Sequence, residues 1–194
     1  MTPLVGLETH PLTAQRWQDL EMLFGRRGAC AGCWCMYWRL SRLEFSNGAG
    51  EGNRNALHKL VDSGAVPGLL AYSAGQPVGW ISVAPRPDFP VLMRSRILKP
   101  VDEQPVWSIV CFFVAKSARR QGITIHLLNE AVHFAAEHGA KIVEGYPIDP
   151  STDQYPDAFA YIGTASAFRQ AGFKEIMRRS EKRPIMRYFI ETQS

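Results

Sequence analysis

The residues of this chain best suited to act on a ligand lie where an apolar run meets two adjacent arginines. Residues 111–114 are apolar, Arg119, Arg120 and Gly122 follow, and an amphipathic helix is predicted over about residues 121–138. The start of a helix carries unpaired N–H groups and a partial positive charge, and glycine lets a ligand approach the backbone closely. The pattern is typical of a phosphate or pyrophosphate site, although an exposed helix start with two solvated arginines would have the same sequence.

A second group of reactive side chains is the cysteine cluster Cys30, Cys33 and Cys35. A structural zinc site needs four ligands at compatible spacing, and no second cysteine pair or HxxxH follows in the sequence. Because Trp34 and Met36 are interleaved with the cysteines, we expect thiols packed among aromatic residues and predict no metal. A metal site and a redox or acyl-carrying thiol remain as alternatives.

Composition narrows the class of protein. With 194 residues, 46% hydrophobic and 21% charged, the chain fits one globular domain over residues 1–194. The net charge is +4, but no run of five Lys or Arg occurs, so neither nucleic acid nor membrane is predicted as a partner. The first residues lack the features of a secretory signal, and we expect a cytoplasmic protein with free thiols.

The elements that must hold these residues follow from hydrophobic periodicity. The predicted order is helix, helix, β-hairpin, strand, helix, strand, helix and two strands, which gives a mixed α/β sheet with helices on both faces. The strand–helix–strand unit over residues 106–146 should be parallel and right-handed. Residues 44–53 are predicted to be a mobile loop. Residues 86–105, with four prolines, are predicted to be an irregular connection.

The turn after Val114, with the sequence RRQGIT, resembles the acyl-CoA signature Q/R-x-x-G-x-G/A of the GNAT (GCN5-related) N-acetyltransferases, with Thr124 in place of the final Gly or Ala. The stretch AFRQAGFKEI at residues 167–176 is similar to the family's LYEKLGF helix end, and the order of elements also agrees. The resemblance implies a mostly antiparallel GNAT sheet with a parallel CoA-binding unit. It also implies a cytoplasmic acyltransferase that moves an acetyl group from acetyl-CoA to an amine by direct attack.

By this resemblance, the CoA site combines the end of one strand with the start of the next helix. Backbone groups of the strand would pair with the pantetheine arm, and the helix amides would hold the pyrophosphate and polarise the acetyl carbonyl. The residues so implied are Phe113, Val114, Arg119, Arg120, Gln121, Gly122, Ile123 and Thr124.

The residues that handle protons are less clearly marked, because a glutamate and a tyrosine used by many GNAT enzymes are here Ser108 and Phe168. Tyr146 and Tyr161 are candidates for protonating the departing thiolate, and Glu144 could relay a proton through water. The alternatives are a packed strand aromatic for Tyr146, a helix-entry side chain for Tyr161 and a solvent-facing carboxylate for Glu144. The catalytic candidates are therefore Tyr146, Tyr161, Glu144 and Ser108.

The acceptor site is expected in the segment after the first helix, where Trp34, Tyr37 and Trp38 could line it or pack in the core. The expected partner is a small-molecule or peptide amine, and a homodimer is left open. Two other functions are retained. One is a catalytically silent acyl-CoA sensor on the same fold, and the other is a small zinc- or nucleic-acid-associated module built on the cysteines.

Overall fold

The computed structural model describes residues 6–149 and 161–191, and its centre is one seven-stranded sheet. The spatial order of the strands is β1-β2-β3-β4-β5-β7-β6. Their bounds are β1 Leu7–Pro11, β2 Gly68–Ser73, β3 Gln76–Pro85, β4 Trp107–Val114, β5 Ile142–Gly145, β6 Lys174–Arg178 and β7 Pro184–Phe189. The helices are α1 Trp17–Phe24, α2 Arg42–Asn47, α3 Glu51–Asp62, α4 Pro90–Arg94, α5 Ile123–Glu137 and α6 Ala165–Gln170.

The pairing of the strands confirms the predicted fold class. Neighbours pair antiparallel throughout the sheet except β4 and β5, which are parallel and joined by α5. A parallel pair requires a crossover connection, and the helix supplies it. The hairpin predicted over residues 67–85 is also present, but its turn lies at Ala74 and Gly75 rather than at the expected Gly-Gln-Pro of residues 75–77. The extent of the domain over residues 1–194 stays a prediction.

Each face of the sheet is covered by a separate hydrophobic core. Side chains alternate along β2, so Leu70 faces the core of α1, α3 and residues 34–38, whereas Leu69 faces α5 and α6. In α1 the apolar stripe of Trp17, Leu20, Leu23 and Phe24 is buried. The face that carries α1 also contains Cys111 and Tyr146.

Three segments differ from the sequence-based prediction. β1, at the edge of the sheet, was not predicted, because a five-residue edge strand has little hydrophobic signal. Residues 44–53 are not a loop, since α2 ends at Asn47 and α3 begins at Glu51. Ser41 and Glu44 form a capping box, and the buried amide of Asn53 donates to the Gly32 carbonyl over 3.0 Å, so local polar contacts stabilise these short helices.

The connection over residues 86–105 is more ordered than predicted. Its first residues form a 3-10 turn, Arg86–Asp88, and α4 follows. Pro87 and Pro90 lie at helix starts, where the missing N–H costs nothing, so these prolines begin helical turns. Within the described residues, no helix is long and apolar enough to cross a lipid bilayer.

Candidate active site

The site begins where β4 and β5 separate. Residues 107–109 of β4 pair with residues 143–145 of β5, but β4 continues to Val114 along β3. The register with β3 shifts between Ser82 and Val83, which leaves Val110 as an extra residue where β5 ends. A bulge bends its strand, and the edge of β4 beyond it is not paired with β5. Backbone groups along this edge can therefore bond to an extended ligand.

The turn from β4 into α5 has the backbone shape that an anion site needs. A 3-10 turn, Lys116–Ala118, leads to Arg120 at φ 61° and Gly122 at φ 80°, both in the left-handed region. Gly122 is the N-cap of α5, so the free N–H groups of the first helical turn begin directly after it. Arg120 adopts this conformation without the freedom of glycine, which is a cost that neighbouring contacts must offset.

These two features open into one cleft of about 550 Å³. Seven of the eight residues predicted to bind the cofactor line it, namely Phe113, Val114, Arg119, Arg120, Gly122, Ile123 and Thr124. The eighth, Gln121, does not line the cleft, because its side-chain amide donates to the Ser117 carbonyl over 3.0 Å. Nε of Arg119 donates to the Val114 carbonyl over 3.3 Å, which holds that guanidinium beside the end of β4.

The rest of the cleft wall consists of residues that the sequence analysis did not assign to cofactor binding. One part comes from α6 and its N-cap Thr164, whose hydroxyl accepts from the Ala167 amide over 3.3 Å. Another comes from Ala29 and Cys30, in the segment after α1. No local spacing marks these residues, because they are 40 to 90 positions away from the turn and meet it only through the order of strands. Cys30 was noticed for its thiol but not for this location.

Tyr161 is the one catalytic candidate of the four that lines the cleft. Its side chain is 38% exposed, and burial raises the pKa of its hydroxyl above the ordinary value. The positive charge of Arg183 partly opposes this rise in the pKa. A phenol with a raised pKa remains protonated at neutral pH and can donate its proton.

The other three catalytic candidates form a buried hydrogen-bonded chain. Oγ of Ser108 lies 2.9 Å from the hydroxyl of Tyr146, which donates to Oε1 of Glu144 over 2.7 Å. Ser108 and Glu144 are fully buried and Tyr146 is 2% exposed. The alternative of a solvent-facing Glu144 is therefore wrong, because its carboxylate is fully buried and bonded to other side chains.

Two arginines that the sequence analysis did not single out for this site complete the hydrogen-bonded network. Nη1 of Arg86 donates to Oε1 of Glu144 over 2.7 Å and also donates to the Tyr146 hydroxyl. Nε of Arg187 donates to Oε2 of Glu144 over 2.7 Å, and its two terminal nitrogens donate to Asp102. Both oxygens of Glu144 are thus bonded to cations, as a buried carboxylate requires.

Burial and the nearby charges also affect the acidity of this group. Desolvation, and next the charge of Glu144, raise the pKa of Tyr146 well above its ordinary value. The hydrogen bonds from Arg187 lower the pKa of Asp102 to about 2. At neutral pH this hydrogen-bonded network therefore contains a neutral Tyr146 and an ionised Asp102.

The three aromatic residues proposed for the acceptor site have different locations. Trp34 and Trp38 are buried in the core on the α1 face. Tyr37 is 51% exposed and packs edge-on against Trp38 and Phe45. Phe168, at the position of the family tyrosine, is fully buried against Phe112 and Phe173.

The four cysteines are free thiols. In the described ranges, 6–149 and 161–191, no group of three His, Cys, Asp or Glu side chains is arranged to hold a metal ion. Cys30 is exposed, whereas Cys35 and Cys111 are buried with their sulfur atoms 3.0 Å apart. Cys111 is on β4, next to Phe112 and Phe113 of the cleft wall.

Comparison with known proteins identifies the family. The family model described as Acetyltransferase (GNAT) family matches residues 33–151. The chain belongs to this family. No sequence among the curated proteins matches it.

Solved structures of GNAT proteins share the fold at low identity. The PaiA N-acetyltransferase of Thermoplasma acidophilum in complex with coenzyme A is 15% identical, with a TM-score of 0.55 over 96% of this chain and 100% of that one. A ribosomal-protein-alanine N-acetyltransferase of Brucella melitensis is 17% identical, with a TM-score of 0.53 over 94% and 99%. A GNAT acetyltransferase of Listeria monocytogenes is 7% identical, with a TM-score of 0.58 over 95% of both chains.

The residues of this GNAT protein fit a CoA ligand. Both the unpaired edge of β4 and the start of α5 line the cleft. The lining is apolar at Phe112 and Phe113 and cationic at Arg119 and Arg120. An unpaired strand edge that leads to a cationic helix start suits a ligand with an amide-containing arm that ends in a pyrophosphate.

Proposed function

We propose that this protein is an acetyl-CoA-dependent N-acetyltransferase in which an acceptor amine attacks the bound thioester directly. The observation that carries the proposal is the cleft in which the unpaired edge of β4 meets the glycine-capped start of α5. Membership of the GNAT family supports acetyl transfer as the reaction class. Soluble, cytoplasmic action on a small-molecule or peptide amine is part of the same proposal.

Different residues of the cleft would bind different parts of the cofactor. Backbone groups of Phe113 and Val114 would bond to the pantetheine arm as an added strand. The amides from Gln121 to Thr124 would hold the pyrophosphate, with Arg119 and Arg120 adding charge. Each contact of a charge with a helix end contributes only about 0.3–2 kcal/mol, so the site depends on several contacts acting on one polyanion.

Acetyl-CoA supplies the activated acetyl carbonyl, and the protein supplies orientation and one proton. The amides at the start of α5 cannot hold the pyrophosphate and also reach the acetyl carbonyl, because the pantetheine arm separates the two groups. Backbone N–H groups along the unpaired edge of β4 would therefore polarise the carbonyl oxygen. Tyr161 is the proposed proton donor to the departing thiolate, because it lines the cleft and its raised pKa keeps the hydroxyl protonated.

The chain of Ser108, Tyr146 and Glu144 is proposed to position the site rather than to remove a proton from the acceptor. Glu144 accepts from Arg86, Arg187 and Tyr146, so protonating it would disrupt three charge-assisted or buried bonds. The network instead fixes the start of β4 and the end of β5, where the two strands separate. The acceptor amine would then lose its proton to water.

This assignment limits the acceptor. An amine with a pKa near 10.4 is neutral about once in a few thousand molecules at pH 7, a penalty of roughly 4.6 kcal/mol. Amines of lower pKa, such as a peptide α-amino group near 7.7–8.0, carry a much smaller penalty. Tyr37, which is exposed in the segment that also contributes Cys30 to the cleft, is the proposed acceptor contact. Buried Trp38 packs edge-on against its ring, whereas Trp34 packs in the core against Trp17 and Phe24.

An acyl-CoA sensor without turnover is the second candidate. It is favoured by Ser108 and the fully buried Phe168, which occupy the positions of the family's glutamate and tyrosine. In that case the cleft would bind CoA, and Tyr161 would not affect any reaction.

The experiment that separates the two is acetyl-CoA turnover with a panel of amines. Purified full-length protein is incubated with acetyl-CoA and amines of graded pKa, including peptides with free N-termini, and CoA is separated by chromatography. The proposal expects acceptor-dependent CoA release and an acetylated amine by mass spectrometry. Tight CoA binding with no acetylated product across the panel would instead favour the sensor.

A further inference from the structure

The mechanism leaves unused a pair of buried thiols that the fold brings together. Cys35 and Cys111 are 76 positions apart in sequence, yet their sulfur atoms are 3.0 Å from each other. Cys35 is 3% exposed and Cys111 is 5% exposed. A disulfide has an S–S distance of about 2.05 Å, so the two atoms need to approach by only about 1 Å.

The backbone of the cysteine segment is unusual where it presents Cys35. Trp34 and Cys35 are consecutive non-glycine residues with φ values of 44° and 53°. Left-handed backbone at such residues is costly and persists only where the surroundings enforce it. Here the two conformations turn the Cys35 side chain toward β4, whereas Trp34 packs against Gly28.

We propose that Cys35 and Cys111 are a redox-sensitive pair that a hydroperoxide converts into a disulfide joining the segment after α1 to β4. In the first step one sulfur attacks the peroxide oxygen, which gives a sulfenic acid and releases the alcohol or water. In the second step the other thiol displaces water from the sulfenic acid and forms the S–S bond. Two thiols lose two electrons and two protons, and one peroxide is reduced.

The link would lie immediately behind the CoA cleft. Phe112 and Phe113, which follow Cys111, line the cleft, and so does Cys30, from the segment that contains Cys35. The disulfide therefore fixes the distance between two walls of the cleft. The hydrogen bond to Cys111, together with burial, raises the pKa of Cys35, so the thiolate fraction is small and the cross-link forms slowly.

The two remaining cysteines, Cys30 and Cys33, supply the control variants. Cys33 contacts Cys35 and is the competing partner, whereas Cys30 is exposed. If the pair is preset, that is, if the fold already holds the two sulfur atoms within reach of a disulfide, Cys30→Ser and Cys33→Ser should leave the cross-link intact. Cys35→Ser and Cys111→Ser should each abolish it. The inference does not depend on the proposed acetyltransferase activity.

The test is disulfide mapping of the full-length, folded protein. Reduced wild-type protein is treated with hydrogen peroxide, free thiols are blocked with N-ethylmaleimide, and a non-reducing tryptic digest is analysed by tandem mass spectrometry. We expect residues 28–39 linked to residues 97–116 through Cys35 and Cys111, with two of the four thiols lost. The absence of this linked pair, or a link through Cys30 or Cys33, would overturn the proposal.

Thermal unfolding of the Cys33→Ser variant gives a second readout. Closing a loop of this length restricts the unfolded chain, so the oxidised variant should melt several degrees higher than the reduced one, and dithiothreitol should reverse the shift. An oxidised variant that melts lower would show that the link distorts the fold, and the pair would then not be preset.

Discussion

Glu144 on β5 and Arg187 on β7 are directly opposite each other in the sheet, and Nε of Arg187 donates to Oε2 of Glu144 over 2.7 Å. The same carboxylate accepts from Arg86 on its other oxygen. One fully buried carboxylate thus bonds to two buried guanidinium groups, and Asp102 supplies the second negative charge beside Arg187. The arrangement ties the 86–105 connection and the last strand to the start of the cleft.

The first prediction concerns the removal of this charge. Glu144→Ala leaves two buried arginines without their common partner, so we expect a loss of about 3–5 kcal/mol in the free energy of unfolding. Urea unfolding followed by circular dichroism measures it. Glu137→Ala, at an exposed i,i+4 pair on α5, is the control and should cost less than about 0.5 kcal/mol. Equal effects of the two variants would contradict the assigned role of Glu144.

The second prediction uses the acidity of Asp102. Arg187 lowers the pKa of this carboxyl to about 2, below its ordinary value of 3.8. A depressed pKa gives stability that is present above the unfolded pKa and lost as pH falls through the folded one. The stability difference between wild type and Asp102→Asn should therefore be constant above about pH 5 and shrink between pH 4 and 2. A difference that does not change with pH over this range would contradict the ion pair.

The third prediction tests the phosphate cradle. Gly122→Glu puts a carboxylate into the turn before α5, and we expect it to abolish detectable CoA binding. Gly139 lies just past the other end of α5 with the same φ of 80° and the same open space around it. Gly139→Glu therefore has a similar backbone cost without touching the cleft, and it should bind CoA as wild type does. Similar CoA affinities in both variants would count against the site.

The fourth prediction assigns the proton donor. Tyr161→Phe should lower kcat by about 10²-fold, with little change in CoA affinity, because general acid catalysis contributes roughly 10²–10⁴-fold. Tyr188→Phe, on β7 and outside the cleft, is the control and should leave kcat unchanged. Steady-state kinetics with the best acceptor measures both. A Tyr161→Phe enzyme with wild-type kcat would remove Tyr161 from the mechanism.

The fifth prediction is the pH dependence of the reaction. If water takes the proton from the acceptor, kcat/KM for the amine should rise about tenfold per pH unit below the amine's pKa and then level off. The raised pKa of Tyr161 means that no fall is expected before pH 10. A plateau that begins at the same pH for amines of different pKa would indicate a titrating base on the protein.

The sequence was sufficient for the parts of the site that are local. A buried strand, a basic turn and a helix start are contiguous in residues 107–124, so their geometry follows from short-range rules, and seven of the eight predicted cofactor residues line the cleft. The mixed α/β sheet follows from the same periodicity, whereas its mostly antiparallel GNAT form was implied by the family resemblance, and both are confirmed.

The remainder of the site could not be predicted because it depends on distant pairing. Arg86 and Arg187 reach Glu144 from 58 and 43 positions away, and only the strand order brings them together. A carboxylate on a four-residue strand looks solvent-facing unless its neighbours on both sides are known. Likewise, residues 44–53 looked like a loop because glycine and polar residues conceal a capping box.

The central claim is that the cleft between β4 and α5 binds CoA through main-chain groups and the charge around Arg119 and Arg120, and isothermal calorimetry tests it most directly. CoA, acetyl-CoA and pantetheine are titrated into folded wild-type protein at two salt concentrations. We predict one site for CoA and acetyl-CoA that weakens with salt, and far weaker binding of pantetheine, which lacks the pyrophosphate. No heat of association with either CoA compound, in protein shown to be folded by circular dichroism, would contradict the claim.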